Sequence, residues 1–304
     1  MGAGARVYEG VIGRDKTAAR SPWRITIRLP AMPADPRVLQ ILFLGVLLAA
    51  GAWIRDFELQ TAQIALTFAA AIATQGILGR AAKRGPVSYL SPTITALGVT
   101  LLLRADNLWA HPAAAAIAIS SKFVIRGPRG RHLFNPANFG VVIALASIPG
   151  TWVSPGQWGQ DVSVAGWIIA LGGLVTYRAR RGDISWSFLA TYMGALAIRV
   201  AWLGQRWAVW SHQFDNGALL LFAFFMISDP MTIPSDWRGR LAHAAAVAAI
   251  AYVWQFGFYR NDGFIWALFT AAPLVALWDS IWRAPQYQWN AQSVNTQIGK
   301  GVSI

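Results

Sequence analysis

The strongest constraint on this chain is a succession of apolar runs, each about one helix long, separated by short segments carrying Lys, Arg, Pro and Gly. A soluble domain carries roughly 25% charged residues. Here charged residues are 13% of the 304 and hydrophobic ones 55%, with a mean hydropathy of +0.41. Such a chain cannot cover itself for water, but it can face lipid. The apolar runs do not alternate with polar residues as the strands of a membrane barrel would, so they spell helices. The expected fold is an all-α polytopic membrane protein. Helices are predicted at 38–54, 61–79, 88–103, 107–125, 134–149, 162–178, 184–204, 215–228, 239–258 and 262–282. Several fall short of the ~20 residues that span a bilayer.

The net charge of +13 does not mark a nucleic-acid-binding protein, because the cations lie between the apolar segments and not in one patch. With alternate loops on opposite sides, one side receives only Arg55, Arg104, Arg199, Arg206 and Arg260, and the other holds the remaining 21 of the 26 Lys and Arg. Cytoplasmic loops retain positive charge, which predicts a bacterial inner-membrane protein with both termini in the cytoplasm. Trp109, Trp152, Trp158, Trp207, Trp210, Trp237 and Trp282 fall near predicted helix ends, as an interfacial aromatic belt requires. The absence of Cys excludes thiolate metal sites, iron–sulfur ligation and disulfides within the chain. The first 36 residues are basic and broken by Pro30, Pro33 and Pro36, unlike a cleaved secretory signal. They are predicted to be a cytoplasmic segment able to dock on anionic lipid or a partner, with Trp23 between Arg20 and Arg24.

The chain divides into this N-terminal segment (1–36), a first half (37–158), a second half (159–283) and a cytoplasmic tail (284–304). Five helices in each half would make the halves opposite in orientation, the inverted-repeat plan of many transporters. The short third and eighth helices hold corresponding places, and both are predicted to be broken. The third opens with Ser91-Pro92-Thr93-Ile94-Thr95. The eighth ends in Asp229-Pro230-Met231-Thr232-Ile233-Pro234. Irregular backbone at membrane depth is tolerated only inside protein or along a polar cavity, so such segments point to a binding site.

Between helices four and five runs Lys122 to Gly140, with Phe134-Asn135-Pro136-Ala137-Asn138-Phe139 at its end. Asn135 stands where an N-cap belongs and Pro136 at the first helical position. Asn138 follows one turn later, so both amides can address one ligand, and an amide offers donor and acceptor together. The plain alternative is a helix cap with an interhelical hydrogen bond. For Thr93 and Thr95 it is back-bonding within the helix, for Asp229 a solvated cap, and for Lys122 a snorkelling anchor. On the loop assignment above, all these turns share the cytoplasmic leaflet. His111, His132, His212 and His243 sit near helix ends and form no facing mid-membrane pair, which argues against haem. No acid pair, catalytic triad or metal-ligand spacing occurs.

At these residues the chain resembles the NqrB/RnfD family, whose members are membrane components of the sodium-pumping NADH:quinone oxidoreductase and of the Rnf electron-transport complex. The resemblance rests on Ser91 to Leu97 with Leu101-Leu-Leu, on Lys122 with Phe134 to Gly140, and on Asp229 to Pro234. It implies ten helices in two inverted five-helix repeats. It also implies a noncovalent flavin, riboflavin or FMN, near the cytoplasmic face, with Asn135 and Asn138 matching the family's flavin-contacting asparagines. In the resulting site Ser91, Thr93 and Thr95 take the opposite edge, Asp229 and Thr232 frame the pocket, and Lys122 lines it. The family's covalent FMN needs a Ser-Gly-Ala-Thr motif that this chain lacks; its outer loop offers only Thr151 near Ser154, so covalent FMN is not expected. The expected function is an electron-transport subunit that is at most flavin-carrying and hands electrons to other membrane subunits. The alternatives are a small-solute transporter or channel on the same scaffold, and a redox-inactive accessory subunit.

Overall fold

The computed structural model describes residues 35–53, 57–83, 88–127, 130–158, 162–213, 216–287 and 289. The N-terminal segment, with Trp23 and its flanking arginines, and most of the C-terminal tail lie outside the described residues. The described chain is mostly helical: α1 (Pro36–Trp53), α2 (Thr61–Ala81), α3 (Leu90–Leu102), α4 (Ala110–Val124), α5 (Pro136–Ser147), α6 (Val162–Arg178), α7 (Gly182–Trp202), α8 (Trp207–Ser211), α9 (Gly217–Leu221), α10 (Trp237–Gly257), α11 (Gly263–Ala271) and α12 (Leu274–Ile281). Among them α1, α2 and α7 are each long and apolar enough to cross a membrane, and α11 with α12 passes the same test taken together, across a break bent by 49°. Trp53, Trp167, Tyr177, Ile198 and Trp202 are largely exposed on the helix surfaces. Apolar exposure on that scale suits lipid and not water. This is an all-α membrane protein.

Local sequence explains most boundaries. Asn135 caps α5 by accepting from the Asn138 N–H at 3.1 Å, with Pro136 in the first turn, where its missing N–H costs nothing. Asn216 caps α9 by accepting from Ala218 and Leu219. Asp236 does the same for α10 through the Arg238 N–H.

Three features depart from expectation. First, α3 is short but unbroken: Pro92 stands in its first turn, and the Thr93 and Thr95 hydroxyls donate to the carbonyls of Tyr89 and Ser91 one turn back. The break lies in the last helix instead. There Pro273 cannot supply an N–H, and the chain turns between Ala271 and Leu274. Second, α9 continues as a π-helical turn, Phe222–Met226, so the expected helix over 215–228 holds a wide final turn. Third, the expected helix 88–103 ends early because Leu103–Ala105 leaves as strand β1. It pairs antiparallel with β2 (Thr151–Val153), Arg104 facing Trp152. Thr151 donates its hydroxyl to the carbonyls of Ile148 and Ala144, closing the end of α5.

In packing, α2 lies most extensively along α4, α4 along α5, and α1 along α3. In the later part, α7 lies along α10, α10 along α11, and α6 along α9 and the π turn. The contacts are close because small residues meet. A Cβ built on Gly140 would stand 2.4 Å from the Ala114 carbonyl oxygen and 2.7 Å from the Ala118 Cβ. Close backbone approach through small residues is how helices associate where lipid removes the hydrophobic drive.

This contact gives a direct test. Gly140→Ala should cost about 1–3 kcal/mol through overpacking and lower the thermal midpoint of the detergent-solubilised protein. Gly166→Ala, with no atom within 4 Å of the new methyl, should leave the midpoint unchanged or slightly higher. Equal behaviour of the two variants would refute the α4–α5 contact.

Candidate functional site

The polar residues of the helix ends meet in one cavity of about 270 Å³. Ser91 and Thr95 from the start of α3, Lys122 from the last turn of α4, Asn135 at the cap of α5, and Asp229 after the π turn all line it. Ile94, Phe123, Pro136 and Phe225 supply apolar wall. Lys122 is buried, and its ammonium donates to Gln75 Oε1 at 3.1 Å and Ser91 Oγ at 3.0 Å. The Asn135 amide nitrogen reaches Asp229 Oδ2 and the Met226 carbonyl, both at 3.4 Å. Asp229 Oδ1 also accepts from the Met231 N–H at 3.0 Å.

The two asparagines do not share the site as expected. Asn138 is buried within α5 and donates to the Ile265 carbonyl of α11 at 2.9 Å, so its amide nitrogen is committed to a helix contact. It does not line the cavity, though its carbonyl oxygen has no partner among the described residues. Thr93 and Thr232 also stand off the cavity. The Thr93 hydroxyl donates to Tyr89, and the Thr232 hydroxyl donates to the Asp229 carbonyl at 3.3 Å.

Sequence reasoning missed Gln75, Gln40, His132 and Trp289, which line the same cavity. A signal for Gln75 existed. Gln63, Thr67 and Gln75 share one face of the largely apolar α2 at multiples of four residues, with Ala71 between them, and Gln63 and Thr67 are buried. A polar stripe at helical spacing in a membrane helix marks its protein-facing side. Trp289 carried no such signal; it stacks beneath the Arg37 guanidinium, 4.7 Å from its ring centroid.

Arg131 fixes the two loops that frame the cavity. Its guanidinium pairs with Asp279 Oδ2 at 2.7 Å and donates to Ser235 Oγ at 3.0 Å and the Ile233 carbonyl. Asp279 accepts in turn from the Ser235 N–H at 2.8 Å. Arg240 extends the brace, donating to the Ser235 carbonyl at 2.7 Å and pairing with Asp183 of α7 at 2.6 Å. Arg126 is bridged antiparallel to His132 and the Gly127 N–H donates to the Arg131 carbonyl, the ends of a hairpin in which Gly130 takes the left-handed region.

Burial pushes the His132 imidazole down to about 4, and the nearby cations Lys122, Arg126 and Arg131 push it the same way. It is therefore neutral at physiological pH. Burial raises the Asp229 carboxyl, while the Met231 N–H and the Lys122 ammonium oppose that rise.

Residues 154–288 match the NQR2, RnfD, RnfE family. The D subunits of the ion-translocating oxidoreductase complex from Salmonella paratyphi B and Salmonella newport are 31% identical to this chain over 147 residues. That alignment covers 47% of this chain and 38% of each relative, so the match spans well under half of the relatives' length. The resemblance read from the motifs is borne out. The family match carries Asp229 and Thr232; Ser91, Lys122 and Asn135 lie before it.

Two outcomes test this geometry. Arg131→Met should destabilise the protein by about 3 kcal/mol because it leaves the half-buried Asp279 without its charged partner, and adding Asp279→Leu should recover much of the loss. A thermal melt of the single and double variants reads both. The lowered His132 means that unfolded chains take up a proton between pH 6.5 and about 4 while folded ones do not. Stability should therefore be full above pH 6.5 and fall as pH drops through that window, with a shallower fall in His132→Gln.

Proposed function

We propose that this chain is the membrane subunit of an electron-transfer complex and holds a flavin, riboflavin or FMN, noncovalently in the cavity between α3, α5 and the Asp229 turn. The observation that carries this reading is the meeting of three proline-marked helix ends on one cavity that presents an amide, an ammonium and a carboxylate. The donor set fits the group. A flavin ring is flat, with an edge of alternating donors and acceptors and apolar faces, and the cavity pairs Asn135 and Lys122 with walls from Ile94, Phe123 and Phe225. When bound, the flavin supplies electron transfer, and the protein supplies position and electrostatics.

The chain's own residues divide those tasks. Asn135 is oriented twice over, as cap of α5 and as donor to Asp229, so its amide plane is fixed before any ligand arrives. Lys122 is held by Gln75 and Ser91, which leaves one of its three donors for a ligand oxygen or nitrogen. Its ammonium would supply positive charge to offset the negative charge of a reduced flavin. Asp229 balances that charge across the cavity. Asn138 acts at one remove by tying α5 to α11.

The same reading places the cavity toward the cytoplasm of a bacterial inner membrane, in a chain of ten spans formed by two inverted halves. The basic character of this end supports the orientation. The parallel order of packing supports the repeat: α2–α4, α4–α5 and α1–α3 in the first half answer to α7–α10, α10–α11 and α6–α9 in the second. The relatives' designation as complex subunits supports redox partners in the membrane.

One observation favours a solute path as a second reading. The cavity shares Ile94, Asn135, Ala137 and Phe225 with a smaller one of about 40 Å³. That one shares Leu101, Leu102, Leu221 and Met226 with another of about 40 Å³ near Asp262. The series is apolar in the middle, which suits a neutral solute.

Titrating riboflavin and FMN into the purified full chain decides between these readings. Protein-induced quenching of flavin fluorescence is expected. Asn135→Leu should weaken it about tenfold or more, as loss of an oriented hydrogen bond of ~1.5 kcal/mol implies. A folded sample that binds neither flavin, and that carries a neutral solute into proteoliposomes, would replace the electron-transfer reading with the second one.

A further inference from the structure

A second cavity, of about 220 Å³, lies on the other side of His132. It is bounded by the hairpin residues Gly127, Arg131 and Leu133 and by Val275, Ala276, Asp279, Ser280 and Arg283 on and after α12. Its chemistry differs from that of the first. The floor is apolar, formed by Leu133, Val275 and Ala276. The charges of Arg131 and Asp279 answer each other in the ion pair described above, and His132 is neutral. Among the described lining residues, the exposed Arg283 therefore leaves one net positive charge.

The surroundings are those of a membrane–water boundary. Leu277 and Ile281 are exposed on another side of α12, and Val124 is 79% exposed at the end of α4. Trp278 and Trp282 stack at 5.8 Å with 27° between their planes, at the point where α12 ends. Stacked indoles beside exposed aliphatic residues sit at the head-group level of a bilayer, where the ring is half in hydrocarbon and half in water. A soluble anion has no use for an aliphatic floor. A molecule with a phosphate joined to methylenes uses both parts.

We propose that this cavity is a binding site for the head group of an anionic phospholipid, with Arg283 taking the phosphate and Leu133, Val275 and Ala276 seating the glycerol and the first acyl methylenes. Basic recesses between membrane helices on the cytoplasmic side take anionic head groups by this combination of charge and apolar contact. The lipid would then fill the gap between the hairpin and α12, the two elements that Arg131 and Asp279 already join, and so stiffen the frame of the first cavity from behind. This proposal rests on the second cavity alone and stands whether or not the first holds a flavin.

The test uses the full chain, stripped of lipid in a neutral detergent. Binding of phosphatidylglycerol, phosphatidylcholine and inorganic phosphate is compared by native mass spectrometry and by shift of the thermal midpoint. Phosphatidylglycerol should bind and raise the midpoint, phosphatidylcholine should bind at least fivefold more weakly, and inorganic phosphate should not displace the lipid. Arg283→Gln should weaken phosphatidylglycerol about fivefold, the effect of one interfacial cation worth ~1 kcal/mol. Arg80→Gln, another exposed arginine at the end of α2, should leave binding unchanged. Undiminished preference for phosphatidylglycerol in Arg283→Gln would overturn the assignment. Equal competition by inorganic phosphate would overturn the lipid and leave a soluble anion in its place.

Discussion

The arrangement depends first on Arg131. Its guanidinium is buried, meets Asp279 in a close pair and donates to three further oxygens from the 231–235 turn. A buried ion pair gives little net stability by itself, because desolvation offsets the attraction. What it gives here is position. The planar guanidinium fork accepts only one geometry of surrounding oxygens, so it fixes the hairpin, the turn and α12 relative to one another. The turn that carries Asp229 has two prolines and no regular hydrogen-bond ladder. Without such a brace its backbone carbonyls would have no defined partners at a depth where water is scarce.

The cavity exists because the helices around it are too short. Helix α3 has 13 residues, α5 has 12, and α9 with its π turn ends at Met226. Each stops short of a full span. The polar caps that terminate them therefore meet below the surface, not in open solvent. The same residues do two jobs. Asn135 ends one helix and faces the cavity, and Ser91 begins another and holds Lys122. Close packing at Gly140 draws α4 and α5 together, so that Lys122 at the end of one and Asn135 at the start of the other open on one space.

Much of this was legible in the sequence. Prolines 92, 136, 230 and 234, each beside a Ser, Asn, Asp or Thr, announced helix ends with polar side chains. The basic residues announced that these ends share a side. The choice between Asn135 and Asn138 was not legible. Spacing puts both on one helix, but a cap residue has extended backbone, and its side chain departs from the helical rotation that relates later positions. Asn138 faces α11 for that reason. Nor was the bend at Pro273 legible: hydropathy continues unbroken through 263–281, while the missing N–H acts on the backbone. Trp289, far along the chain from any motif used, comes to the cavity through tertiary contact alone.

Lys122 gives the strongest physical ground for expecting a ligand. A lysine at the end of a membrane helix ordinarily snorkels, because four methylenes let the ammonium reach water at small cost. This one does not. It turns inward and meets Gln75 and Ser91, two neutral groups that cannot balance its charge; among the described residues the opposite charge that steadies it is Asp229, on the same cavity. A charge held apart from its counterpart by an open space is poor design for stability, since water or nothing must fill the gap. It is good design for holding a molecule that carries both an acceptor for the ammonium and a donor for the carboxylate. The helix cap alone explains Asn135, and back-bonding alone explains Thr95. On the reading proposed above, a ligand between them is what keeps Lys122 turned inward.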